Sequence, residues 1–196
     1  MASSSTRAAS PAATRERLLR SAHAMFYADG YGVSIDALAQ HAKVAKPTVY
    51  AHFASKEAIL EAVLRRADDA WFGTLDAELA RREGDPVERV MAPFDLLVAD
   101  LPDPAYHGCL LINSAAASLA ADHPAHRALT AHHTRMLAVF ESLLADAGAA
   151  GPAPLARQLL LLYDGVKARG LIDHSGAAAQ DARAAATALL TSALPA

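Results

Sequence analysis

One cysteine, Cys109, stands among the 196 residues, so no disulfide can form within a chain and packing alone must hold the fold. No apolar run approaches the roughly 18 uninterrupted residues that a membrane-spanning helix needs. The chain also opens on no charged-then-apolar leader, which sets a cytoplasmic location as the expectation. Aromatic residues make up 6 % and Trp71 is the lone tryptophan, so Leu, Val and Ala must supply most of the core. Strand-like alternation and internal repeats are lacking as well, which leaves an all-α chain of about nine helices. Catalytic signatures are missing too. There is no Gly-x-Ser-x-Gly elbow, no phosphate-cradling glycine loop, no dinucleotide fingerprint and no Glu-x-x-His pair of the kind a di-iron bundle requires. An enzyme is therefore not expected, nor any cofactor or metal.

The charge that is present is unevenly spread. The whole chain carries −3, but through Leu60 seven Lys or Arg face four acids, and from Glu61 onward eleven face seventeen. A basic end followed by an acidic remainder suits a partner of negative charge at the first end. Residues 1–13, rich in Ser and Ala, read as a disordered tail. Residues 14–60 then form one candidate domain and residues 61–196 a second, larger one.

Ser34 to Lys56 is the stretch that carries chemistry. Ser34 is a helix cap, and Ile35, Leu38, Ala39 and Ala42 follow at i, i+3, i+4 and i+7, one apolar face. A second short helix starts near Ala45, because Pro47 fits a helix only in its first turn. Val49 and Phe53 are then expected to point inward, leaving Lys46, Thr48, Tyr50 and His52 outside. Hydroxyls, an imidazole and a cation can bond phosphates and base edges, so the pair reads as a helix-turn-helix.

The string VAKPTVYAHF at 44–53, followed by Ala54-Ser55-Lys56-Glu57, resembles the DNA-binding module of TetR-type transcriptional repressors. The resemblance begins at Thr14-Arg15-Glu16-Arg17-Leu18-Leu19, continues through Ala24-Met25-Phe26 and Gly30-Tyr31, and reaches about Leu64, roughly the first third of the chain. It implies Tyr50 and His52 on a recognition helix in the major groove, Thr48 beside them, and Lys56 gripping a phosphate. Ser34, Lys46 and Pro47 complete the candidate DNA-binding set. Two positions depart from the family's pattern. Lys43 stands where many relatives turn on a glycine, and Ala45 where they often have a serine cap, each change costing about 1 kcal/mol.

The remaining sequence reads as successive helices. One runs from Lys56 to about Arg82, carrying Ile59, Leu60, Val63, Ala67, Trp71 and Leu75, and Gly84 ends it. Others are expected from Pro86 to Leu101, Gly108 to Ala121, Pro124 to the connector at 148–154, Leu155 to Leu171, and Ala177 to Leu194. Leu155, Leu159, Leu162 and Val166 with Thr187, Leu190 and Leu194 are assigned to a homodimer interface, two such helix pairs making a four-helix bundle; the alternative is that these helices only close the core of the monomer. A two-fold dimer would read a palindromic operator on double-stranded DNA.

GCLLINSAAA at 108–117 also resembles a segment of the ligand-binding half of TetR-type regulators, and it implies a pocket for an apolar or weakly polar small-molecule inducer. Its candidate lining is Trp71, Leu75, Phe94, Leu97, Cys109, Asn113, Met136, Phe140 and Tyr163, the apolar members being equally readable as plain core; Asn113 is singled out because a buried amide must be paired, either to protein and water or to a ligand. His123, His126, His132 and His133 read as scattered surface histidines. Asp68 and Asp69, with Arg65 and Arg66, read as a solvated helix face. The competing class is a helical adaptor that binds another protein without an operator.

Overall fold

A computed structural model describes residues 10–82, 84–172 and 176–194. Among them are nine helices and no strand: α1 Pro11–Asp29, α2 Ile35–His41, α3 Lys46–His52, α4 Lys56–Arg81, α5 Pro86–Asp100, α6 Leu110–Ala116, α7 Pro124–Asp146, α8 Pro152–Arg169 and α9 Ala177–Ala193. None of the described helices is long and apolar enough to cross a membrane. The chain divides into two compact units, residues 1–65 and 66–196.

The first unit begins earlier than the sequence suggests. Ser10 caps α1 through a 3.2 Å bond from the Ala13 N–H, and Pro11 follows at the first helical position. Residues 11–13 therefore belong to a helix rather than to the expected tail, because a serine cap followed by proline is itself a start signal; the rest of that tail, residues 1–9, lies outside the described residues. Leu18, Leu19, Ala22 and Phe26 of α1 are buried, as are Leu38 and Ala39 of α2, Val49 of α3, and Ile59, Leu60, Val63 and Leu64 of α4. α1 packs on α2, and α2 on α3.

In the second unit α5, α7, α8 and α9 pack together around one core. The helix starts follow proline and glycine. α5, α7 and α8 each place proline in the first turn, and α8 opens after Gly151 in the left-handed region, three residues before the expected Leu155. α6 is shorter than the expected 108–121. Beyond its end Ala117, Ala120 and the fully exposed Leu119 add little packing, and a segment this short holds its helix only where packing supports it. Ion pairs close one side of the core. Asp95 on α5 accepts from Arg82 at 2.7 Å with one oxygen and from Arg183 on α9 at 2.6 Å with the other.

Lys43 is the single described non-glycine residue at positive φ, +54°. The Val44 N–H bonds the Ala39 carbonyl at 3.0 Å and the Lys43 N–H bonds the Gln40 carbonyl at 3.1 Å, which is a Schellman motif with lysine in its left-handed position. The end of α7 makes the same two bonds, from Ala149 to Leu144 and from Gly148 to Ala145, with a glycine there. Lys43→Gly should accordingly raise the stability of the first unit by up to about 1 kcal/mol. Ala45→Ser, which adds the missing cap of α3, should add a similar amount. Thermal or urea melts of both variants would check this.

Candidate functional site

α3 exposes one side and buries the other. Val49 is fully buried and Phe53, just beyond the helix, is 5 % exposed, with the Arg15 guanidinium 4.9 Å from its ring centroid. Spacing then forces the rest outward. Tyr50 is 50 % exposed, Lys46 and Pro47 are exposed, and Thr48 and His52 are half-buried. The structure thus brings Lys46, Pro47, Thr48, Tyr50 and His52 onto one short helix with its apolar side sealed.

The remaining candidates have structural partners, of which the sequence disclosed the cap made by Ser34 but not those of Lys46 and Lys56. Ser34 Oγ accepts the Ala37 N–H at 3.1 Å and so caps α2. Lys46 Nζ lies 3.0 Å from the Asp36 carboxylate, whose hydrogen bond raises the lysine pKa. Lys56 donates to the Tyr31 carbonyl and sits 4.1 Å from the Tyr31 ring centroid, and burial lowers its pKa. Tyr31 in turn donates to Glu57 at 3.0 Å; burial and that bond push its hydroxyl up to about 12. Lys56 therefore ties the loop before α2 to the start of α4.

In the second unit the candidate ligand residues fall mostly in the core. Leu75, Phe94, Leu97, Met136, Phe140 and Tyr163 are buried in one cluster, and Trp71 packs against it. Tyr163 meets Trp71 and Phe94 edge to face, centroids 5.8 and 6.0 Å apart. Asn113 is half-buried rather than buried, and it donates to the His107 carbonyl at 2.7 Å, the protein-paired alternative for its amide. Cys109 is half-buried at the cap of α6.

The dimer assignment needs correction. Leu155, Leu159, Val166 and Leu190 face the core of their own chain and are at most 7 % exposed. α8 carries two apolar stripes, and apolarity alone did not say which faced inward. The outer stripe holds Gln158, Leu161, Leu162 and Gly165; with Ala185, Ala188 and Leu189 of α9, part of it lines a surface groove of about 630 Å³. Leu161 is 73 % exposed. Of the original seven residues, Leu162, Thr187 and Leu194 keep exposed surface.

A second correction concerns the histidines. His132 is 2 % exposed, not on the surface, and Asp68 is its partner rather than part of a solvated face: His132 Nδ1 is 2.6 Å from Asp68 Oδ1. Lys167, also buried, brings Nζ to 3.4 Å from His132 Nε2. The three form a line in which a neutral imidazole donates from Nδ1 to Asp68 and accepts at Nε2 from the lysine, a tautomer assigned from these partners. Burial and the lysine charge push His132 down to about 4, while Asp68 opposes them. Burial lowers Lys167 as well. His133 pairs with Asp164 at 3.0 Å. A signal was available: Asp68 sits four before Phe72, His132 four before Met136, and Lys167 four after Tyr163, each on a buried stripe.

A basic first unit bearing a helix-turn-helix, joined to a separate helical bundle, defines a DNA-binding transcription regulator. The model for bacterial regulatory proteins of the tetR family matches residues 18–63. A putative TetR transcriptional regulator of Streptomyces avermitilis is 32 % identical over 94 % of this chain and 98 % of its own, with a TM-score of 0.82. The chain belongs to the TetR family of transcriptional regulators. A TetR-family regulator of Streptomyces coelicolor is 29 % identical, covering 92 % of this chain and 95 % of its own, with a TM-score of 0.86. A TetR regulator of Chloroflexus aurantiacus, 20 % identical over 94 % of this chain and 97 % of its own, shares the fold at a TM-score of 0.81. No curated protein matches.

The pH dependence of stability follows from His132. Its pKa is about 4 folded against an ordinary 6.5, so between those values the unfolded chain binds the extra proton and stability falls as pH drops. His132→Asn should flatten the decline from pH 6.5 to 4. Urea melts across that window would check it.

Proposed function

We propose that this regulator is a homodimeric repressor that binds a palindromic operator and leaves it when a small molecule binds the second unit. The observation that carries the DNA part is the outer side of α3. Tyr50, Thr48, His52 and Lys46 stand on a helix anchored by Val49 and Phe53, and a helix so presented can enter a major groove. Tyr50 and Lys56 are assigned to the phosphates, Lys56 after releasing or sharing the Tyr31 carbonyl, and Thr48 and His52 to base edges. Ser34, capping α2, and Pro47, starting α3, contribute by fixing the helices.

The outer stripe of α8 and α9 supports the homodimer. Leu161, Leu162 and Leu189 with the alanines between them form an apolar surface of the kind that marks an interaction site, and a two-fold pair presents two recognition helices to successive grooves. Ligand release is read as a population shift. A hundredfold loss of operator affinity needs about 2.7 kcal/mol of differential binding, carried through α4, whose residues belong to both units.

Two tests follow. Tyr50→Ala should weaken operator and nonspecific DNA binding together and flatten the salt slope by about 1, measured by fluorescence anisotropy across salt concentrations; unchanged affinity would remove α3 from the interface. Leu161→Arg should give folded monomers in sedimentation, because it charges an exposed stripe. Leu159→Glu should instead unfold the second unit, since it buries an unpaired charge at a cost of several kcal/mol. A Leu161→Arg chain that stays dimeric would move the interface elsewhere.

A further inference from the structure

Lys167 is a buried cation without a carboxylate of its own. Among the described residues no carboxylate oxygen lies within ion-pair distance of it: Asp68 is engaged by His132 and by Arg135 at 3.5 Å, and Asp164 pairs with His133 through one oxygen while its other, buried oxygen has no partner and supports Lys167 only at longer range. The ammonium meets neutral or soft groups instead. His132 Nε2 is 3.4 Å away, and the Tyr163 and Trp71 ring centroids lie at 4.1 and 5.5 Å. Beside it the Tyr163 hydroxyl is wholly buried and has no hydrogen-bond partner. A buried cation and a buried donor, both short of an oxygen acceptor, are the reverse of what a self-contained core contains.

We infer that this cluster is the receptor for the carboxylate of a small organic acid, with Lys167 Nζ and Tyr163 Oη donating to its oxygens. The missing partner must be an acceptor, and an anion best satisfies an ammonium that burial has stripped of water. The walls set the rest of the ligand. Trp71 and Phe94 each meet the Tyr163 ring edge to face, so the surroundings are aromatic and the acid carries an apolar body. The inference rests on reading the second unit as ligand-responsive and names the chemistry of that ligand, with Lys167 and Tyr163 in place of Asn113 as the polar contacts.

The test uses the full-length protein with straight-chain monocarboxylates from butyrate to decanoate, benzoate and phenylacetate, each beside the alcohol of the same skeleton. Calorimetry and thermal shift should find at least one acid bound at about 1 mM or tighter, and its alcohol about tenfold weaker or worse. Lys167→Met should weaken that acid about tenfold or more. Tyr163→Phe, which removes only an unpaired hydroxyl, should weaken it several-fold and still melt cooperatively, so it decides the question if Lys167→Met does not fold. No acid bound, alcohols bound equally well, or both variants binding like wild type would overturn the inference. Operator titrations separate the two readings. Acid binding that leaves operator affinity unchanged keeps the receptor and removes the inducer role, whereas operator binding that no acid relieves, with no acid bound, removes the receptor and leaves the regulator standing.

Discussion

A helix of seven residues cannot hold itself together in water, because nucleation costs more than two turns of hydrogen bonds return. α2 and α3 are both of that length, and α3 lacks even a side-chain cap. What keeps α3 helical is the burial of Val49 and Phe53, together with the Schellman turn that joins it to α2. The same burial orients the surface. With Val49 sealed inward, Tyr50 can only face out, so the stability of the unit and the presentation of its binding groups are one requirement.

That coupling explains how much was legible in the sequence. The order of helices and the inward set of α2 and α3 follow from local rules, in which neighbours along the chain decide the outcome, while the resemblance to relatives with a glycine and a serine cap pointed to Lys43, found at positive φ, and to the uncapped Ala45. What the sequence concealed were pairings between distant residues. Asp68, His132 and Lys167 are spread over a hundred positions and meet only once α4, α7 and α8 are packed. Each looks like a surface residue alone. The partner of Lys56 was hidden for a related reason, since it is the carbonyl of Tyr31, and a backbone acceptor leaves no mark in sequence. On α8 the error was one of choice between two apolar stripes, of which the one carrying Leu155, Leu159 and Val166 faces its own core.

The buried polar line gives the bundle a different character from an all-apolar core. Apolar residues in its place would remove the desolvation cost, so its presence is not accounted for by stability. It does impose geometry. His132 can satisfy Asp68 and Lys167 together only with one tautomer and one ring orientation, which fixes how α7 lies against α4 and α8 within that unit.

In the homodimer proposed above, the outer stripe of α8 and α9 would tie folding to abundance. A subunit whose leucines wait for a copy of itself has a stability set by mass action, so the amount of intact protein rises more steeply than the amount synthesised. Dilution strips the pair of its partner and of its folded reserve together. Such a chain acquires a threshold in concentration from a row of side chains on one helix face, without any second molecule to sense.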